Sequence, residues 1–303
     1  MALKIERGIQ PSPVAAVIHG VEGIGKTTLA SQFPNPLILD TEDGSKRIDC
    51  ARVRITKWLE LISAVLDLGG DPQGFKTIVI DSIDWAEGLL RSHLETKLGK
   101  PVDEMPYGRG FGVLSEAFQQ LIKASDGLIA KGLNVVFVGH SEVKRCTPPD
   151  MDEGYDRYEI KLSKKVAPIV KEWADLILFT NYKTRLIEGA DGRKKGRGGK
   201  ERVMYAERTA AWDAKNRFGL PAEMPMDICH LESVFKSQTL ADTIASHISS
   251  AGTVARLGKI GDRIDALVSE DKITADEWSQ LTDAIKARHD DLEPATAEEA
   301  AVE

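Results

Sequence analysis

The stretch Gly20-Val21-Glu22-Gly23-Ile24-Gly25-Lys26-Thr27-Thr28 decides the fold. Gly20, four spacers, then Gly25, Lys26 and Thr27 complete the phosphate-loop pattern G-x-x-x-x-G-K-[ST]. An apolar run at residues 14–18 leads in and a helix-compatible run at 27–33 leads out, so the motif sits between a strand and a helix, as its mechanism requires. Glycines let successive backbone N–H groups turn inward around phosphate oxygens, and the following helix adds the positive end of its dipole. Gly20, Gly23, Ile24, Gly25, Lys26, Thr27 and Thr28 are therefore the candidate contacts to a nucleoside triphosphate. Lys26 would reach the terminal phosphates and the Thr27 hydroxyl would ligate magnesium.

Downstream, PLILD (36–40) reads as a buried strand that runs into the acidic cluster Asp40-Thr41-Glu42-Asp43-Gly44. Residues 56–68 (TKWLELISAVLDL) carry Leu59, Ile62 and Leu66 at helical spacing, which predicts an inner face. KTIVID (76–81) has the uninterrupted apolar character of a central parallel strand covered on both faces. A helix follows at 83–98, then a loop at 99–112 (GKPVDEMPYGRGFG), a helix at 113–129, and a strand at 134–138 ending at Gly139-His140. Alternation at this spacing predicts an α/β fold with a doubly wound, mostly parallel sheet. Ligands of such sheets sit at the carboxyl ends of the strands, where Glu42, Asp81 and His140 fall.

From Cys146 the pattern changes. A polar segment leads to a strand near 157–162, a helix at 163–173 and a strand at 175–180. Residues 182–187 and 202–207 are expected to pair as a hairpin. Residues 189–202, at its connection, hold five Gly and six Lys/Arg against two acids, and read as mobile and positive. Beyond residue 231 the chain is helical: Leu257, Ile260, Ile264 and Leu267 share a face, and Thr274-Ala275-Asp276-Glu277 is a capping box opening a helix with Trp278, Leu281 and Ile285 inward. The last fourteen residues, from Asp290, carry six acids and no base, the signature of a solvated, disordered tail. The expected organisation is a core over 1–230, a helical module over 231–289 and a tail over 290–303.

A chain of 303 residues with 42% apolar and 29% charged residues can bury a sizeable core. Its net charge of -7 argues against a protein that coats nucleic acid over its whole surface, though not against a local basic site. Cys50, Cys146 and Cys229 are odd in number, far apart and without C-x-x-C spacing, so neither a disulfide framework nor a zinc site is indicated, and a reducing cytoplasm is the expected compartment. No segment reaches the roughly 18 apolar residues that span a bilayer.

Among the acids, Asp81 ends its strand where nucleoside triphosphatases hold the magnesium that Thr27 also touches. Glu42 lies where a second strand could deliver a carboxylate that polarises a water for in-line attack; Asp40 and Asp43 compete for that role, since spacing cannot choose among neighbours. His140 can sense the γ-phosphate from its strand end, or be a partly buried structural histidine. In Lys215-Asn216-Arg217-Phe218-Gly219, two cations two residues apart could point the same way from an exposed turn, where composition alone favours a solvated turn.

Together these features resemble the RecA-like recombinase ATPases: a phosphate loop with Glu at its third position, a next strand ending Asp-Thr-Glu, a strand ending Asp81-Ser82, and KNRFG near the end of the core. Within them, the chain is most similar to the short RecA-core ATPases of bacteriophages associated with single-strand annealing, and KNRFG also matches the signature of the bacterial RecA paralogue RadA/Sms. The resemblance covers roughly residues 14–221. It implies ATP and Mg2+ as cofactors, Lys26 and Thr27 on phosphates and metal, Asp81 in the magnesium shell, Glu42 as the water-activating base, His140 in a sensor position often held by Gln, and Lys215 with Arg217 reaching a neighbouring subunit's nucleotide. A trans Arg217 needs a homo-oligomer with head-to-tail contacts, closed as a ring or open as a filament. The phage resemblance also places the protein in a bacterial host's cytoplasm.

The same resemblance implies single-stranded DNA as partner, met by two loops. In the first, Tyr107, Arg109 and Phe111 interleave aromatics with charge, which suits base stacking and backbone neutralisation; in the second, Lys144 and Arg145 are offset by nearby acids. Arg193, Lys194, Lys195 and Arg197 at the basic hairpin are a further candidate, and neutralising about four phosphates of a single strand would give a log–log salt slope near -3. A different class of function remains open: a nucleotide-gated adaptor or loader in replication or packaging that uses its helical module to hold a single-stranded DNA-binding protein or replication partner, with little DNA contact. A small-molecule kinase is disfavoured, because Glu42 and KNRFG have no clear use there.

Overall fold

A computed structural model describes residues 12–147, 149, 153–188, 194–235, 240–249, 251–270 and 272–292. The phosphate-loop strand β1 (Ala15–Gly20) is buried throughout and is followed by the short helix α1 (Lys26–Ala30). Strand β2 (Pro36–Asp40), strand β3 (Ala51–Arg54), helix α2 (Trp58–Gly70), strand β4 (Thr77–Asp81), helix α3 (Ile83–Leu98), helix α4 (Arg109–Ile129) and strand β5 (Asn134–Cys146) complete the first half. Then come β6 (Tyr155–Ile160), α5 (Val166–Trp173), β7 (Leu176–Glu188), β8 (Lys194–Tyr205), β9 (Lys215–Asn216), β10 (Glu223–Pro225) and α6 (Glu232–Phe235).

The described strands follow the order β10-β8-β7-β1-β5-β4-β2-β3, with β6 pairing β5 and β9 pairing β7. From β7 to β3 all neighbours are parallel, and the rest are antiparallel additions. This is the doubly wound, mostly parallel α/β sheet that the sequence predicts, with β5 inserted between the phosphate-loop strand and the Asp81 strand. Period-two alternation divides each central strand between two cores. Val17, Ile78, Ile80, Val135 and Phe137 pack on the face covered by α2 to α5, whereas Ala16, Ile18, Val79, Val136 and Val138 pack on the face covered by α1 and the segment around α6.

Register brings the functional strand ends into one row: Gly20 stands opposite His140, Asp81 opposite Val138, and Asp40 opposite Asp81.

Several expectations are corrected. In α2 the buried residues are Trp58, Leu61, Val65 and Leu68, while Leu59 and Leu66 are exposed; the inner face is rotated because Trp58 supplies its first anchor. The edge strand β3 escapes the apolar pattern because its side chains are all exposed. Residues 99–112 are not one loop: two short 3-10 turns precede α4, which begins at Arg109. Strand β5 does not end at His140 but leaves the central sheet and continues to Cys146 as an antiparallel hairpin with β6. The β7–β8 hairpin is longer than expected, pairing Ile187 with Lys195, so 194–202 belongs to a strand rather than to a connection.

The chain divides into two compact units, residues 13–236 and a second one that includes Ser12 and whose described helices are α7 (Leu240–Ser249), α8 (Val254–Ser269) and α9 (Ala275–Leu292). Leu257, Ile264, Leu267 and Leu281 form the core of the second unit. The capping box is present, Glu277 accepting the Thr274 N–H at 2.8 Å and the Thr274 hydroxyl accepting the Glu277 N–H at 3.2 Å. Trp278, expected inward, is 39% exposed and donates its indole N–H to Asp265. Asp290, Asp291 and Leu292 finish α9, and the remainder of the expected tail lies outside the described residues.

Candidate nucleotide site

Gly20 ends β1 against β7, where a Cβ would lie 2.2 Å from the Thr180 carbonyl oxygen, so no larger residue fits. Gly25 turns the loop at φ 103, a conformation that disfavours any side chain. Lys26 is buried and donates from Nζ to the carbonyls of Gly20 at 3.2 Å and Val21 at 2.9 Å; burial lowers its pKa. A cavity of about 250 Å³ opens beside the loop, lined by Gly23, Gly25, Lys26, Thr27 and Thr28 on one side and by Asp40, Glu42, Asp81 and His140 on the other. Gly20 and Ile24, named from the motif, do not line it: the Gly20 carbonyl holds Lys26, and the Ile24 side chain is fully buried.

The three competing acids separate by their hydrogen bonds. One oxygen of Asp40 accepts the N–H groups of Glu42, Asp43 and Gly44, and the other accepts the N–H and hydroxyl of Ser45. Asp40 therefore shapes the acidic turn, and these donors bring its pKa down despite burial. Asp43 is paired with Lys46 and Arg54. Glu42 is left facing the cavity, its Oε2 at 3.9 Å from Nε2 of His140.

Asp81 is 7% exposed, and burial pushes its pKa up to about 6 against the opposing hydrogen bond from the Thr27 hydroxyl. A buried carboxylate with an adjacent hydroxyl is a hard-oxygen pair of the kind magnesium uses alongside phosphates and waters, so Thr27 and Asp81 fit the ion. When bound there, magnesium would neutralise charge between the terminal phosphates.

Asp84, in the first turn of α3, was missed by the motif reading. Its two carboxylate oxygens accept the His140 backbone N–H at 3.1 Å and ring Nδ1–H at 2.9 Å, leaving Nε2 toward Glu42. This hydrogen bond raises the His140 pKa. The signal in the sequence was a second acid three residues after Asp81, one helical turn on. His19, just before the loop, is fully buried; its Nε2–H donates to the Asp213 carbonyl at 3.0 Å and its Nδ1 accepts from Ser141, so it is neutral, and burial lowers its pKa to about 4.

Lys215 and Arg217 do not join this site. Lys215 pairs in register with Ile177, near the amino end of β7, whereas Thr180 is the residue level with Gly20. Lys215 Nζ donates to the carbonyls of Lys171 and Glu172 at the end of α5, and Arg217 pairs with Asp175 at 2.6 Å.

The expected DNA contacts also divide. Tyr107 is fully exposed and has a left-handed backbone at φ 56. Phe111 is not a free stacking ring: it packs on the core beneath the Arg91 guanidinium, 5.8 Å from the ring centroid. Arg109 opens α4. Lys144 pairs with Glu142 at 2.8 Å and Arg145 with Asp156 at 3.6 Å. Arg193 lies outside the described residues, and Lys194, Lys195 and Arg197 are known only as backbone positions of β8.

Among the described residues no helix is long and apolar enough to cross a membrane. An AAA domain family, AAA_24, matches residues 12–218. No curated protein sequence matches the chain. Among solved structures, flagellar accessory protein FlaH from Methanocaldococcus jannaschii is similar over 64% of this chain and 78% of its own, at 11% identity and a TM-score of 0.36.

Proposed function

The chain belongs to the AAA domain family AAA_24, and from that premise we propose that it is a RecA-like ATPase of phage recombination whose hydrolysis is governed by single-stranded DNA. The observation that carries this reading is the position of Asp84. It binds His140 in the wall of the nucleotide cavity and also lines a second, larger cavity of about 1,120 Å³ between α3, the turn before α4, and the β5–β6 hairpin.

That groove has the chemistry of a single-strand track. Trp85, 51% exposed, and Tyr107 offer stacking surfaces, and Lys161, Lys164 and Lys165 are exposed cations with no ion-pair partner among the described residues. Stacking is worth about 1–3 kcal/mol per base and tolerates any sequence, while the lysines neutralise the backbone. Trp85 follows Asp84 directly on α3, so a base settling there would bear on the residue that orients His140.

In the nucleotide site Glu42 is the carboxylate left to take a proton from an attacking water, because Asp40 and Asp43 are engaged. His140, held by Asp84, presents Nε2 to Glu42 or to a terminal phosphate oxygen. Lys26 answers the phosphate charge. Annealing or strand exchange is the task this reading assigns.

The test is ATP turnover with and without single-stranded DNA while oligomer mass is followed. Stimulation accompanied by assembly supports the reading. Turnover indifferent to DNA overturns it and favours a nucleotide-gated adaptor or loader.

A further inference from the structure

Arg202 is the described cation outside the cavity that touches the phosphate loop, and no motif singles it out. It lies in β8, opposite Tyr182 in register, and its own carbonyl accepts the Met226 N–H at 3.0 Å, so its backbone is held from both sides. Its guanidinium crosses to the loop and donates from Nη1 to the Ile24 carbonyl at 3.3 Å. At Gly25 a Cβ would come within 2.8 Å of the same Nη1. The guanidinium therefore packs against the loop at Ile24 and Gly25, and neither Arg202 nor Ile24 lines the cavity.

The geometry of one peptide gives this contact a consequence. A trans peptide is planar, so the Ile24 carbonyl and the Gly25 N–H point in opposite directions. Drawing the carbonyl outward onto a cation holds the N–H on the cavity side, where loop amides meet phosphate oxygens. A charged donor on the carbonyl also polarises the amide and strengthens its N–H. Gly25 has no side chain to fix that plane, and at φ 103 it could turn in either sense with little steric resistance.

We propose that Arg202 is a positioning residue for the phosphate cradle: from an antiparallel strand outside the parallel core it sets the Ile24–Gly25 peptide in its phosphate-binding orientation. The hairpin β7–β8 thereby becomes part of the nucleotide site. This rests on the nucleotide-binding reading and is independent of DNA.

The experiment titrates Mg·ADP into the full chain by calorimetry for the wild type, Arg202→Ala, Arg202→Lys and Lys26→Ala, with the thermal midpoint of each nucleotide-free protein measured in parallel. Loss of a charge-assisted hydrogen bond predicts that Arg202→Ala weakens ADP about tenfold or more, that Arg202→Lys stays within about threefold of wild type, and that midpoints agree. Affinity within about twofold of wild type in Arg202→Ala overturns the proposal. So does a Lys variant as weak as the Ala variant, or a loss of affinity matched by a lowered midpoint. If Arg202→Ala does not fold, Arg202→Met, which keeps the stem and lacks donors, is read by the same criteria. Wild-type affinity in Lys26→Ala would instead refute the nucleotide reading itself.

Discussion

Asp84 grips His140 twice, one carboxylate oxygen taking the backbone N–H and the other the ring Nδ1–H. The imidazole can then meet Glu42 only through Nε2, at 3.9 Å. Because the Asp84 hydrogen bond is the leading cause of the raised His140 pKa, Asp84→Asn should move that pKa down. The pKa falls because the charged ring loses its carboxylate acceptor, and by linkage the stability that a raised histidine pKa adds, complete below its unfolded value and lost as pH rises through the folded value, falls with it. Imidazole NMR should show the downward shift, and turnover should fall about tenfold or more as the ring loses its orientation. An unmoved His140 titration would refute the pairing.

Glu42→Gln should retain nucleotide and lose turnover by about 10²–10⁴, the range expected for a general base. Asp43→Asn, which removes only a partner of Lys46 and Arg54 at the surface, should change turnover little. Asp40→Asn should lower stability, by about 1–3 kcal/mol, since it weakens the acceptor for four backbone N–H groups. Equal losses of turnover in all three variants would contradict the division of roles.

Motif and pattern reading reached the loop, the sheet and the row of strand ends, because each depends on local spacing. It could not separate Asp40, Glu42 and Asp43, whose difference lies in where the chain folds back: Asp40 is taken by the turn that follows it and Asp43 by a strand eleven residues on. Asp84 escaped for a similar reason, since its partner His140 is 56 residues away.

His19 predicts an acid limb in stability. Its folded pKa, about 4, lies below the unfolded value of 6.5, so the unfolded chain takes up a proton first and stability declines as pH falls from 6.5 toward 4. The full loss is roughly 3 kcal/mol. His19→Gln can keep both hydrogen bonds without titrating, and chemical denaturation across this range should show a flatter profile. A profile as steep as wild type would assign the acid limb elsewhere.

Arg217 lies away from its own phosphate loop, so a direct contact with a transferring phosphate would have to be made on another subunit's nucleotide. Arg217→Ala should cost about 0–1 kcal/mol of stability through its exposed pair with Asp175, yet cut turnover by about 10³ or more if it acts in trans. Mixing Arg217→Ala with Lys26→Ala protomers should then recover activity, since each supplies what the other lacks. No recovery in a mixed oligomer would remove the trans role.

The groove predicts a salt signature. Replacing Lys161, Lys164 and Lys165 together with Ala should reduce the log–log salt slope for a single strand by about 2. Trp85→Ala should lower the ratio of DNA-stimulated to unstimulated turnover. An unchanged slope in the triple variant would place the DNA elsewhere.

By itself the sequence determined that a strand, a glycine-rich turn and a helix would present backbone amides to phosphate, because spacing and residue type suffice for a contiguous motif. It also determined the parallel sheet, through uninterrupted apolar strand runs alternating with helices. Tertiary structure alone decided which acid faces the cavity, that Asp84 joins His140 between two cavities, that KNRFG stands beside the amino end of β7, away from the loop, and that Arg202 reaches the loop from 178 residues away. These are pairings across the fold, and a side chain's charge does not reveal which distant backbone or ring will stand within hydrogen-bonding distance once strand register and helix packing are set.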